Sequence, residues 1–224
     1  MYSNMIESSW IRDFVEVAIA NLVRIESNLR KLGYDFDNKE GPIKQIGHGT
    51  NQELNRIRQQ YNCVPEFLVA WYDRVEYVDF TQHMEQLLEP SDHPVAGLGL
   101  NCTLVIKSLE SVCELQTMVE LDGFKCKNVD GKDFIPFGSY SSNSTPKGVW
   151  LPDSDIDPVI YDDGAGPIRM SREIAHSINS GGFPFWASMF SKRRFSSPIL
   201  NVPKYNEIKR ELFAGIVAMN DAGA

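Results

Sequence analysis

Val64-Pro65-Glu66-Phe67-Leu68-Val69-Ala70-Trp71-Tyr72-Asp73-Arg74-Val75-Glu76-Tyr77-Val78-Asp79-Phe80 is the stretch whose reading decides the fold. Proline lacks a backbone N–H, so Val64-Pro65 ends whatever helix precedes it. Beyond it Phe67, Leu68, Trp71 and Tyr72 share one face at helical spacing, which predicts a short helix. From Val75 to Phe80 the residues turn β-branched and aromatic, and the stretch reads as a strand. A helix handing over to a strand within a few residues places both element types in one packing unit.

Toward the N-terminus, Ile11, Phe14, Val15, Ala18, Leu22, Ile25, Leu29 and Leu32 recur every three or four residues. They predict an amphipathic helix, with Gly33 as its C-terminal cap. A loop containing Gly41-Pro42 and Gly47-His48-Gly49 follows. Thr50-Asn51-Gln52-Glu53 then reads as a capping box that opens a helix through Leu54, Ile57 and Tyr61. Toward the C-terminus, strands are predicted near Leu100 to Ile106, at Phe134 to Phe137, at Val149 to Leu151 and at Pro158 to Tyr161. Helices are predicted at Ser108 to Leu121, at Ser171 to Ile178 before Gly181-Gly182, and at Tyr205 to Val217. The order argues for an α+β fold, with helices packed on a mixed or mostly antiparallel sheet in a single domain over residues 1–224. Residues 1–50 read as an N-terminal helical extension.

The chain has 224 residues, 42% apolar and 23% charged, which suits one hydrophobic core. No run approaches the ~20 apolar residues needed to cross a bilayer. Met1 to Trp10 carries Glu7 and has neither a basic start nor a hydrophobic stretch, so a secretory signal is not expected, and a cytoplasmic location is. Cys63, Cys102, Cys113 and Cys126 lack C-x-x-C spacing and are expected to be reduced. His48, His83, His93 and His176 form no ligand pattern, so neither a metal nor a cofactor is expected. A net charge of −8 disfavours nucleic acid and favours a basic partner.

The pattern closest to catalysis is Gly138-Ser139 followed by Asp155-Ile156-Asp157. Nucleotidyltransferases of the polymerase-β type open a helix with Gly-Ser and place Asp-x-Asp on a strand, where alternation points both carboxylates at paired magnesium ions. Ser139, however, leads into a polar stretch with Pro146. Pro158 removes a donor where a central strand would continue, and no later strand offers a third carboxylate. An aspartate-rich turn explains the same residues. Non-catalytic binding is therefore the preferred reading, with the metal-dependent transferase as the alternative.

Taken together, several segments resemble the SUKH superfamily, the proteins related to the yeast cell-wall synthesis regulator. Val64 to Tyr72 with Val75 and Val78-Asp79-Phe80 resembles its "LP…L..WY..V..V.F" segment. Phe134-Ile135-Pro136-Phe137 resembles its "(Y/F)(L/I)P" strand, and Val149-Trp150-Leu151-Pro152-Asp153 to Asp157 its "LPD…D" strand. Gly181-Gly182-Phe183-Pro184 with Trp186, and Glu211 to Ile216, resemble two later elements. The likeness is collinear over about residues 51–80 and 133–217. It implies a compact α+β domain for protein binding and, as in many bacterial members, an immunity protein that neutralises a cognate toxin, often a nuclease. Eukaryotic relatives suggest an interaction scaffold instead. The partner-binding residues expected on this reading are Asp153, Asp155, Asp157, Asp162 and Asp163, with Trp150 and Tyr161 as aromatic anchors. No catalytic residue is assigned.

Overall fold

A computed structural model describes residues 2–83, 104–109, 133–139, 147–160, 167–183 and 208–220. Among the described residues, four helices, α1 (Tyr2–Lys31), α2 (Gln52–Gln60), α3 (Glu66–Tyr72) and α4 (Met170–Asn179), and a short helical segment at 208–212 accompany seven strands. The strands are β1 (Ile43–Gln45), β2 (Val75–Asp79), β3 (Val105–Ile106), β4 (Asp133–Ser139), β5 (Lys147–Leu151), β6 (Val159–Ile160) and β7 (Ile168–Arg169). The sheet order β1-β2-β3-β4-β5 follows the chain, and β6 pairs with β7 in a separate ribbon. Every described pairing is antiparallel. The fold is therefore α+β, and of the two sheet types expected the antiparallel one is present.

The apolar stripe of α1 is as its spacing dictates: Ile11, Val15, Ala18, Leu22, Ile25 and Leu29 are all 1% exposed or less. They belong to the same buried cluster as Phe67, Leu68, Trp71 and Tyr72 of α3, and as Met170, Ile174 and Ile178 of α4. Gly33 (φ +81°) ends α1 in a Schellman arrangement, with Gly33 N–H donating to Arg30 O and Tyr34 N–H to Leu29 O. At the start of α2 the cap lies one residue later than the capping box predicts. Asn51 Oδ1 accepts from Leu54 N–H, while the Thr50 hydroxyl turns back to Gly47 O. Asn51 also donates to Tyr72 O, so the same amide joins the start of α2 to the end of α3.

On the sheet, Ile135, Val149 and Leu151 are buried, whereas Phe134 and Trp150 pair across the strands with ring centroids 5.0 Å apart. After α4, Gly182 (φ +86°) lies so close to Phe80 that an added Cβ would meet its ring at 2.6 Å, and its carbonyl accepts from Leu104 N–H. Only glycine combines that φ with that approach.

The closing helix expected over Tyr205 to Val217 stops earlier, at residue 212. The chain beyond it is held by side chains. Asn21 both donates to Val217 O and accepts from Val217 N–H, Arg24 donates to Gly215 O, and Asn28 donates to Leu212 O and Ala214 O. Asn179 does the same for the N–H and O of Met219. These amides replace the intrahelical bonds that a longer helix would make. The helix expected at Ser108 to Leu121 lies outside the described residues beyond Leu109, as do residues 205–207 of the closing helix. No helix among the described residues is long and apolar enough to cross a membrane.

Candidate functional site

Residues 152–158 connect β5 to β6 without regular structure, and this loop carries the Asp153, Asp155 and Asp157 series. Its backbone is tied to the α2–α3 turn, with Asp153 N–H donating to Cys63 O and Ile156 O accepting from Phe67 N–H. Two helix starts depend on it. Pro65 and Arg169, the residues before α3 and α4, provide no side-chain cap. The loop satisfies both ends from a distance: Ile156 O takes an N–H of the first turn of α3, and the Asp157 carboxylate takes that of Ser171 in α4. The charge of Asp157 also complements the positive end of the helix dipole.

Each aspartate therefore has a different task. Asp153 Oδ1 accepts from Asp155 N–H at 3.0 Å, a local turn that fixes the loop's shape. Asp155 is exposed and accepts from Arg169 Nη1 at 3.0 Å, and the same nitrogen donates to Asp157 O. Asp157 is 8% exposed, and its two oxygens take the N–H and the hydroxyl of Ser171 at 3.1 and 2.6 Å. Burial pushes the Asp157 carboxyl above its ordinary range, against the pull of the Ser171 hydrogen bonds and Arg169. Two residues beyond Ser171, burial also pushes the Glu173 carboxyl up to about 7.

The alternation that would present Asp155 and Asp157 on one face of a strand is not present, because both lie in the loop and engage different partners. Gly138 and Ser139 lie at the end of β4, in register with Ile106 and Val105. Trp150 is half-buried on β5 against Phe134. Tyr161, Asp162 and Asp163 lie outside the described residues. Cys63 is a free thiol, and Cys102, Cys113 and Cys126 fall outside the described residues. Among the described residues, no group of three or more His, Cys, Asp and Glu side chains is placed to hold a metal ion.

Next to the loop, and sharing Cys63 and Glu66 with its surroundings, an open cleft of about 870 Å³ lies between α1, α2 and α3. Its edge holds a polar cluster that sequence reading passed over. Asp73, just after α3, accepts from Gly49 N–H at 2.6 Å and pairs with His48 Nδ1 at 2.5 Å. Arg74 reaches His48 Nε2 at 3.1 Å and forms an ion pair with Glu16 of α1. A guanidinium can only donate, so Nε2 accepts and Nδ1–H faces Asp73. Burial raises the Asp73 carboxyl, but the Gly49 N–H, His48 and Arg74 outweigh it and hold the group below its usual range. The sequence signal for this cluster is the loop Gly47-His48-Gly49, whose partner Asp73 lies 25 residues beyond His48 and 24 beyond Gly49.

No protein-family model matches the chain, and comparisons with curated proteins and with solved structures give no significant match.

Proposed function

We propose that the chain is a non-enzymatic protein-binding module of the immunity type, which docks a basic toxin on the acidic loop carrying Asp153 and Asp155. The observation that carries this reading is the way those carboxylates are held before any partner arrives. Asp153 is fixed by its turn to Asp155 N–H, Asp155 by Arg169, and the loop backbone by Cys63 and Phe67. Charges already in place lose little freedom on binding, so more of their attraction is expressed as affinity. The net charge of −8 adds long-range steering toward a basic surface, as a nuclease toxin would present. Asp157, turned inward to Ser171, supports the loop from within. Trp150, Tyr161, Asp162 and Asp163 complete the proposed contact region, and the resemblance to SUKH immunity proteins points the same way.

The test is retention of a toxin fragment from native lysate, identified by mass spectrometry, by the wild-type chain and by Asp153→Lys/Asp155→Lys. Stoichiometric capture by the wild type is expected, with association slowed about tenfold or more in the variant. Equal capture by both overturns the acidic loop as the contact. Stoichiometric capture of a partner that is no toxin replaces the immunity reading with the scaffold one.

A further inference from the structure

The arginines lining the cleft between α1, α2 and α3 are engaged differently. Arg74 is held by Glu16 and His48. Arg12 on α1 and Arg58 in the last turn of α2 are exposed, and neither makes an ion pair or hydrogen bond among the described residues. Of the acidic lining residues, Glu16 is paired with Arg74, and Asp73 accepts from Gly49 N–H and pairs with His48. Three arginines and three carboxylates line the cleft, so its formal charges balance, within a chain whose net charge is −8; what sets Arg12 and Arg58 apart is that their donors are unused among the described residues. Its walls are otherwise apolar where Val15, Val64, Val69 and Ala70 line it. Its volume of about 870 Å³ falls in the range of small-molecule sites.

We infer that this cleft binds a small amphipathic anion, its carboxylate or phosphate on Arg12 and Arg58 and its apolar body along Val15, Val64, Val69 and Ala70. Guanidinium groups match either headgroup by paired N–H···O bonds. The apolar walls need a non-polar body to displace their water. A polyanion such as nucleic acid is disfavoured by the net charge of −8, whereas one small anion needs only the donors of two guanidinium groups. This site is separate from the acidic loop, and its test does not involve Asp153 or Asp155.

Cys63 lines the same cleft as a half-buried free thiol and reports on its occupancy. Labelling of the full chain by iodoacetamide, read at Cys63 by peptide mass spectrometry, is measured with and without decanoate, decyl phosphate or decanol. With probe at ten times its dissociation constant, labelling is expected to fall about tenfold by mass action. Protection by decanoate alone assigns a carboxylate ligand, and protection by decyl phosphate alone a phosphate ester. Arg12→Glu and Arg58→Glu, compared with and without probe in the same variant, are expected to lose protection. Arg56→Glu changes charge equally on the same helix, at a residue paired with Glu53 and absent from the cleft lining, and is expected to keep it. Failure of both anions to protect, equal protection by decanol, or protection that survives both charge reversals overturns the inference.

Discussion

Asp157 and Glu173 at the start of α4 are buried, while Asp73 after α3 faces solvent beside His48 and Gly49. All three carboxylates serve the same general end, fixing a loop or helix to its neighbour, yet their protonation is driven in opposite directions. At the buried corner the loss of hydration dominates and both groups are raised. At the open corner water remains close, and a backbone N–H, an imidazole and a guanidinium tip the balance, so Asp73 is lowered. The number of donors alone does not set the direction: Asp157 has two from Ser171 and is still raised. Burial decides which influence wins.

The sharpest way to break this comparison is Asp157→Ala. It leaves Ser171 N–H and hydroxyl without their acceptor in a buried place and removes the cap of α4. The expected loss is about 3 kcal/mol by urea unfolding. A loss below about 1 kcal/mol would show that α4 does not depend on a cap supplied from the loop.

Glu173→Gln comes next. A carboxyl raised from 4.5 to about 7 binds its proton more tightly in the folded state, so stability falls as pH rises through that window. The variant is expected to flatten that slope and to gain about 2 kcal/mol at pH 8. An unchanged pH profile would mean that relaxation or hydration relieves the burial.

Asp73→Ala tests the opposite sign. A lowered carboxyl stabilises the fold above its ordinary range, and that contribution is lost as pH falls below it. The expected loss is about 1 kcal/mol at neutral pH, fading in acid. A loss that persists in acid would remove the contrast between the corners. The smallest effect is expected from Arg169→Ala, whose pairing with Asp155 is half-exposed on both sides, with a change of about 0.5 kcal/mol that shrinks in high salt.

The local elements were readable because their signals are local. The α1 stripe, the Gly33 cap and the helix-to-strand passage at 66–79 each depend on residues within a few positions of one another. β1 has no signature in the sequence, because Ile43–Gln45 offers a single large apolar residue and becomes a strand only by pairing with β2. The α2 cap falls one residue from its expected place because Thr50 and Asn51 are both competent caps, and the bond from Asn51 to Tyr72 O favours Asn51. The C-terminal helix is shorter than its periodicity predicts because Asn21, Arg24, Asn28 and Asn179, from other parts of the chain, hold the backbone that follows it.

The candidate site divides in the same way. Sequence alone marked the aspartates at 153, 155 and 157 as unusual, since their spacing is visible in the string. It could not separate the exposed Asp155 from the buried Asp157, because residue spacing carries no record of hydration. The cleft was invisible for a related reason: its residues come from α1, α2 and α3, and no local pattern joins Arg12 to Arg58. The sequence by itself determined most of the described helices and the longer strands, the α+β order and the acidic charge, because propensity, periodicity and charge count are properties of neighbouring residues. Only the tertiary structure decided which carboxylates lose their water, which helix ends are capped from afar and which arginines share a cleft with apolar side chains. Burial and long-range hydrogen bonds exist only once distant segments pack together.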